Sequence, residues 1–228
     1  MVGEFYMKVK PNYSTIWTVI GFFIVYQLLV MPEILLMSLN NKIVTSLSTL
    51  ITLVLAVGFI NYTFKYVSKI AYWQNDFVKR NSYTIFTVSV LLILLLQWGD
   101  SFLIAHGVLS NTQNQSENIA ALNRNPIFML VFGLVIAPIL EELIFRGLFY
   151  KSLLVNLNTR QIRQQSLLLM IAVNTLIFTL PHLQTFSLEI LPYIIMSVIF
   201  SINFIYYKKI SVPIILHIFN NLIAIFLF

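Results

Sequence analysis

Three charged side chains interrupt a long apolar stretch in the C-terminal half of this chain. Glu141, Glu142 and Arg146 follow the apolar residues 129–140 and precede the apolar residues 148–150. An ionisable group near the middle of a bilayer costs about 2.5–3.5 kcal/mol even on lenient insertion scales. Such groups are kept in a membrane span when they neutralise each other or carry out a function. This stretch therefore constrains both the fold and the function.

The composition is that of a polytopic membrane protein. Of the 228 residues, 59% are hydrophobic and only 10% are charged, whereas about a quarter of a soluble domain is charged. The net charge is +6, but the basic residues lie between apolar runs and not on one face. This distribution indicates the lipid bilayer as a partner and argues against nucleic acid. Because the chain has no cysteine, disulfides, thiol catalysis and thiolate metal sites are excluded.

Seven apolar runs are candidates to cross the roughly 30 Å hydrocarbon core, so we predict an all-α transmembrane bundle. The runs cover residues 14–31, 43–64, 83–98, 126–150, 167–183, 188–207 and 212–228. Pro138 predicts a kink in the fourth run, or a split that gives eight spans. The first run lacks a cleavage site and is interpreted as a retained span. We divide the chain into N-terminal helices with an outer loop, 1–125, and a C-terminal core, 126–228.

The basic residues predict the orientation of the spans. Eleven Lys and Arg residues lie in alternate connecting segments, and only Lys42 and Arg124 lie in the opposite ones. Basic loops stay on the cytoplasmic side. We therefore expect a multi-pass cell-membrane protein with a cytoplasmic N-terminus and an extracytoplasmic C-terminus. The polar loop 99–125 is then outside, and its composition predicts partial disorder.

The two glutamates are predicted to differ. Glu142 and Arg146 are four residues apart with the acid first, the favourable order for a helical ion pair. On its own, this pair is equally well explained as a structural salt bridge. Glu141 points about 100° away from Glu142, and its own i+4 neighbour is Phe145. An unpaired carboxylate in an apolar site has a raised proton affinity, which suits a general base or acid.

Two further polar clusters lie in later spans. Asn174, Phe178 and His182 recur every four residues and share one helical face; an interfacial position for His182 is the alternative. His217 and Asn221 are one turn apart and could donate two hydrogen bonds to an oxyanion. Helix–helix hydrogen bonding would explain these two residues as well. Together the three clusters predict a polar chamber inside the bundle, with water activated by Glu141 and His182.

The three clusters, in this order, resemble the family of CAAX prenyl endopeptidases and bacteriocin-processing proteins, also called the Abi family. The family pattern is Glu-Glu-x-x-x-Arg, then Phe-x-x-x-His, then His-x-x-x-Asn. The matching residues of this chain are Glu141, Glu142, Arg146, Phe178, His182, His217 and Asn221. The resemblance covers about residues 126–228, and residues 1–125 say nothing about a substrate.

The resemblance implies an intramembrane peptidase of the glutamate type acting on a peptide or protein at the membrane. In such an enzyme Glu141 and His182 activate a water, His217 and Asn221 form the oxyanion hole, and Arg146 orients the glutamate pair with Glu142. The implied processes are bacteriocin self-immunity or peptide processing. No cofactor is expected; zinc held by Glu141, His182 and His217 is the alternative. Competing functions are a non-catalytic immunity or binding protein and a small proton-coupled transporter.

The sequence predicts different depths in the membrane for the first two polar clusters and for the third. Counted from the basic turns, Glu141 and His182 lie at one depth. His217, eight residues after Lys209, lies nearer the cytoplasm. We expect the clusters to meet through a proline kink or through displacement of the last span along its axis. The candidate kinks are at Pro138, Pro181 and Pro213.

Overall fold

The fold is an all-helical bundle, as predicted. The computed structural model describes residues 13–36, 41–69, 83–155, 164–182 and 188–227, and within these ranges it contains helices and no strand. The helices are α1 (Tyr13–Leu36), α2 (Lys42–Lys69), α3 (Thr84–Ala105), α4 (Gln113–Arg124), α5 (126–155), α6 (Gln164–Thr179), α7 (Leu191–Tyr207) and α8 (Ser211–Leu227). Short 3₁₀ turns follow α6 at Leu180–His182 and precede α7 at Leu188–Ile190.

All seven predicted spans fall on helices of the bundle. Five stretches are long and apolar enough to cross a membrane: Ile16–Glu33, Lys42–Lys69, Thr84–Ala105, Pro126–Lys151 and Leu188–Tyr207. Two others, Leu167–His182 and Ser211–Leu227, are shorter apolar helices. The fourth span continues through Pro138, so the predicted split into two spans does not occur.

The first helix is longer than predicted and carries a buried acid. It continues through Pro32 to Leu36 and buries Glu33 completely. The Glu33 carboxylate accepts hydrogen bonds from the hydroxyls of Ser48 and Thr49 on α2 and from the Asn125 amide, all within 3.0 Å. Because Asn125 caps the start of α5 through the Phe128 N–H, this cluster fixes α5 against α1 and α2. The early spans thus contribute a polar cluster of their own, which none of the three motifs includes.

The predicted disorder between α3 and α5 was also wrong over α4. Thr112 and Gln115 form a capping box, in which the Thr112 hydroxyl accepts from the Gln115 N–H and the Gln115 side chain accepts from the Thr112 N–H. This pair satisfies two backbone donors that otherwise lack partners at a helix start. Gln115 also donates to Asp100 near the end of α3. The polar composition of this segment reflects a short amphipathic helix.

The long helix α5 changes its winding around Pro138. Residues Met129–Ile136 and Leu143–Leu148 are π-helical, and Ala137–Glu142 between them is α-helical. The Ala137 N–H donates to the Phe132 carbonyl, five residues back. In this register the next donor would be the nitrogen of Pro138, which carries no hydrogen. Wider turns of this kind are frequent at functional sites, and here they flank the two glutamates.

The helices bury two apolar clusters on either side of α5. One lies between α1, α2 and α5 and includes Ala56, Leu140 and Ile144, all completely or almost completely buried. The other lies between α3, α7 and α8 and includes Ile93 and Phe200. Many Leu, Ile and Val side chains of α2 and α3 remain exposed, as expected for surfaces that face lipid. The polar residues of α5 are thus enclosed between two packed groups of helices.

The turn between α7 and α8 resolves the predicted difference in depth. Lys208 closes α7 in the left-handed conformation and is buried, with 9% exposure. A Cβ placed on Gly147 would lie 3.1 Å from Val67 Cγ1 and 3.7 Å from Ile210 Cδ1, so glycine allows this turn to pack against α5. Ile210 precedes His217 by seven residues, about 10 Å along a helix. Gly147 lies five and six residues after the two glutamates, so His217 and the glutamates are at about the same level relative to this contact.

Candidate active site

Glu142 and Arg146 form a fully buried ion pair, as the spacing predicted. Arg146 Nη1 lies 2.9 Å from Glu142 Oε1, and both side chains have 0% exposure. Arg146 Nη2 donates to the hydroxyl and the carbonyl of Ser197 on α7, at 2.8 and 3.1 Å. The guanidinium also lies over the Phe178 ring, with its carbon 4.4 Å from the ring centroid. These contacts hold α5, α6 and α7 together around one buried charge.

Glu141 is the carboxylate that Arg146 leaves unpaired, as expected. Its side chain is 14% exposed, whereas that of Glu142 is completely buried. The Tyr26 hydroxyl on α1 donates to Glu141 Oε1 at 3.0 Å. Glu141 Oε2 lies 3.7 Å from His217 Nε2. A carboxylate with one oxygen held by a neutral donor and the other beside an imidazole is suited to exchange a proton.

His217 lies between the two glutamates. Its Nδ1 is 2.9 Å from Glu142 Oε1, the same oxygen that accepts from Arg146. Since an ionised Glu142 only accepts hydrogen bonds, His217 Nδ1 must carry the proton of this contact. Nε2, which faces Glu141, can then donate to an oxyanion only when the imidazole carries both protons. The His217 ring is also stacked on Phe200, with centroids 4.9 Å apart.

His182 contacts Phe178, the ring over which the Arg146 guanidinium lies. Its ring stacks on Phe178 at 5.4 Å and lies 4.6 Å from the Tyr193 ring of α7. It is close enough to Glu141 and His217 to interact electrostatically with both. The stripe predicted on α6 faces the bundle interior, because Asn174 and Phe178 are buried. The interfacial alternative for this stripe is therefore not supported.

Asn221 occupies the next turn of α8 after His217. Its Nδ2 donates to the Gly133 carbonyl at 3.3 Å, and its Oδ1 accepts from Asn220 Nδ2 at 3.2 Å. Gly133 lies in the first π-helical segment of α5. Glu141, Glu142, Arg146 and His217 thus contact one another, and His182 joins them through the Phe178 ring. Asn221 lies one helical turn further along α8, beside Gly133. We call this region the chamber.

Several residues of the chamber could not be found from the three motifs. Tyr26 lies more than a hundred residues before Glu141, in a helix that is mostly apolar. Ser197 is one of two serines in α7, and Gln97 in α3 donates to Asn220. Isolated polar residues in apolar spans are a weak indication of helix–helix contacts. Nothing in their spacing relates them to the glutamates.

The comparisons with known proteins agree with the motifs. Residues 123–223 match the family model described as "Type II CAAX prenyl endopeptidase Rce1-like". The chain is 32% identical over 108 residues to the "Membrane-embedded CAAX protease MroQ" of Staphylococcus aureus (strain USA300). This alignment covers 47% of the chain and 42% of that protein. No solved structure matches the chain. The resemblance to the CAAX prenyl endopeptidase family is therefore confirmed for the C-terminal part of the chain.

We expect Glu142→Gln to destabilise the protein, because it leaves the Arg146 guanidinium buried without its counter-charge. Removing one partner of a buried pair typically costs about 3–5 kcal/mol. The measurement is thermal unfolding of purified protein in detergent. Glu141→Gln is the matched control and should unfold near the wild-type temperature.

Adding Arg146→Met to Glu142→Gln should recover part of the lost stability, since the unpaired charge is then gone. It should not recover function. A single Glu142→Gln variant as thermostable as the wild type would mean that water reaches the pair.

Proposed function

We propose that this protein is an intramembrane endopeptidase that hydrolyses a peptide bond of a membrane-associated or secreted peptide. The observation that carries the proposal is the difference between the two glutamates. Glu142 is neutralised by Arg146, whereas Glu141 is partly exposed in the chamber and contacts Tyr26 and His217. The match of residues 123–223 to a prenyl endopeptidase family supports the same chemistry.

In the proposed reaction Glu141, with His182 nearby, accepts a proton from water. The water oxygen bonds to the carbonyl carbon of the scissile peptide bond, and the carbonyl electrons move onto its oxygen. Asn221 and His217 stabilise this oxyanion. When the tetrahedral intermediate collapses, the carbon–nitrogen bond breaks and the proton held by Glu141 or His182 passes to the leaving amine. No covalent intermediate with the enzyme is formed.

The ion pair has an indirect role in this proposal. Glu142 Oε1 accepts from both Arg146 and His217, so the guanidinium fixes the carboxylate that orients the imidazole. With Nδ1 held by Glu142, the other ring nitrogen, Nε2, lies beside Glu141 and faces the chamber. Preorganised donors of this kind cost no reorganisation when charge develops in the transition state.

We further propose that the substrate is a peptide handled during bacteriocin self-immunity or peptide processing. The aromatic surroundings of the chamber, which include Phe23, Phe145 and Phe178, favour an apolar segment of the substrate. We also propose that the N-terminus is cytoplasmic and the C-terminus extracytoplasmic. The support for this orientation is the alternation of basic segments.

Glu141→Gln should abolish hydrolysis, because the amide has the same shape but cannot accept a proton. The experiment compares the peptides of cells that carry wild-type protein with those of cells that carry Glu141→Gln, and seeks a cleavage that disappears. The peptide found in this way is then synthesised and tested with purified protein. Turnover by Glu141→Gln within a few-fold of wild type would remove Glu141 from the role of base.

Tyr26→Phe should lower kcat about tenfold with little change in KM, because Glu141 loses the hydroxyl that orients one of its oxygens. The ring itself, which packs near Phe23 at 6.1 Å, is kept. Tyr62→Phe is the matched control. Tyr62 lies on the exposed surface of α2 and stacks on Phe22 of α1, the helix that carries Tyr26. Equal rates for the two variants would show that Tyr26 only packs.

We propose that the water is activated without a metal ion. The permanently positive Arg146 guanidinium is paired with Glu142, and its charge disfavours a second cation beside this carboxylate. Among the described residues, no three His, Asp or Glu side chains form a group that could hold a metal ion.

Purified protein should therefore contain less than one metal ion per chain and keep its activity after dialysis against a strong chelator. Elemental analysis and activity before and after dialysis are the measurements. About one zinc per chain, together with activity that a chelator removes and zinc restores, would instead indicate a metallopeptidase that uses Glu141, His182 and His217.

A further inference from the structure

A row of three carboxamides links α3 to the chamber. Gln97 Nε2 on α3 donates to Asn220 Oδ1 at 2.8 Å, and Asn220 Nδ2 donates to Asn221 Oδ1 at 3.2 Å. Asn221 Nδ2 donates in turn to the Gly133 carbonyl on α5 at 3.3 Å. Gln97 and Asn220 are buried, with 5% and 3% exposure. Each carboxamide in the row donates an N–H hydrogen bond to the oxygen of the next group.

The Gly133 carbonyl fixes the direction of this row. In the π-helical register, in which Ala137 donates to Phe132, the backbone partner of Gly133 O would be the nitrogen of Pro138, which has no hydrogen. The carbonyl is thus left without that bond, and a carbonyl can only accept. Asn221 must present its nitrogen to Gly133, so its oxygen faces Asn220. The Asn221 oxygen then accepts a hydrogen bond from the Asn220 nitrogen. The Asn220 oxygen accepts one from Gln97, which keeps this amide in the same orientation.

The direction of the row decides what Asn221 offers to the chamber. A carboxamide nitrogen carries two hydrogens, and Gly133 takes one of them. The second hydrogen on Asn221 Nδ2 is then the one available to donate to an oxyanion. A reversed amide would present an oxygen, which repels negative charge. Holding the Asn221 oxygen away from the chamber is therefore as important as supplying the nitrogen.

We propose that Gln97 and Asn220 are positioning residues, which hold the Asn221 carboxamide with its nitrogen directed to the developing oxyanion. This inference rests on the proposed peptidase function. It assigns part of the site to α3, outside the segment 123–223 that matches the family model. Gln97 touches neither glutamate, so its effect passes through Asn220 and Asn221.

Gln97→Met tests the proposal, because methionine has a similar length and no donor. We expect kcat for the synthetic peptide to fall about 10- to 100-fold, with KM changed less than about twofold. Ser89→Ala is the matched control on the same helix. Ser89 is equally buried and accepts from Asn203 on α7, so its removal breaks an interhelical amide contact away from Asn221. The control should keep nearly full activity.

A double variant separates positioning from a general loss of structure. If Gln97 acts through Asn221, Gln97→Met should cost no further activity in an Asn221→Ala protein. If the two losses multiply, Gln97 is only a packing residue and the proposal is overturned. Should Gln97→Met fail to fold, Asn220→Ser replaces it in the same cycle, with the same two outcomes. Wild-type and Glu141→Gln proteins run alongside show whether the peptidase function itself holds.

A spectroscopic measurement tests the row without turnover. In protein labelled with ¹⁵N-asparagine in detergent micelles, the Asn221 side-chain signal is the one absent from Asn221→Ala. Its amide hydrogens should exchange slowly in wild type and in Ser89→Ala, and much faster in Gln97→Met. Unchanged exchange in Gln97→Met would overturn the positioning role even if the protein is an active peptidase. Loss of peptidase activity in every preparation, with slow exchange intact, would instead count against the proposed function.

Discussion

The buried ion pair between Glu142 and Arg146 is the interaction on which the rest of the chamber depends. Two unit charges in an apolar interior are costly unless each has good partners. Here one carboxylate oxygen accepts from both Arg146 and His217, and the guanidinium is shared with Ser197 and the ring of Phe178. Four helices therefore meet at this one pair. Because Glu142 is used in this way, Glu141 remains the carboxylate that faces the chamber.

Pro138 accounts for two features near this pair, the winding of α5 and the contact between α5 and α8. Pro138 cannot donate a backbone hydrogen bond, and the helix around it is wound in alternating π and α segments while remaining one span. The Gly133 carbonyl that lies five residues before Pro138 is bound by Asn221 of α8. A local defect in one helix thus becomes a contact that sets the position of another. Both glutamates lie at the end of the short α-helical segment, just before the winding changes again.

The N-terminal half contributes side chains to a site whose motifs all lie in the C-terminal half. Tyr26 of α1 reaches Glu141, and Gln97 of α3 reaches Asn220. The Glu33 cluster joins α1 and α2 to Asn125 at the start of α5. Helices outside the family match therefore hold the C-terminal core in place and complete its hydrogen bonding. Variation in these helices can alter the site without changing any motif residue.

The sequence alone determined the helical membrane fold, the positions of the seven apolar helices and the Glu142–Arg146 pair. These follow from hydrophobic run length and from the 3.6-residue period, which are local properties. The level of His217 relative to the glutamates was decided by the tertiary structure, because the turn after α7 packs against Gly147. The contacts of Tyr26 and Gln97 could likewise not be predicted from the sequence, since they join residues more than a hundred positions apart. Periodicity fixes which face a residue occupies, and only helix packing decides which partner that face meets.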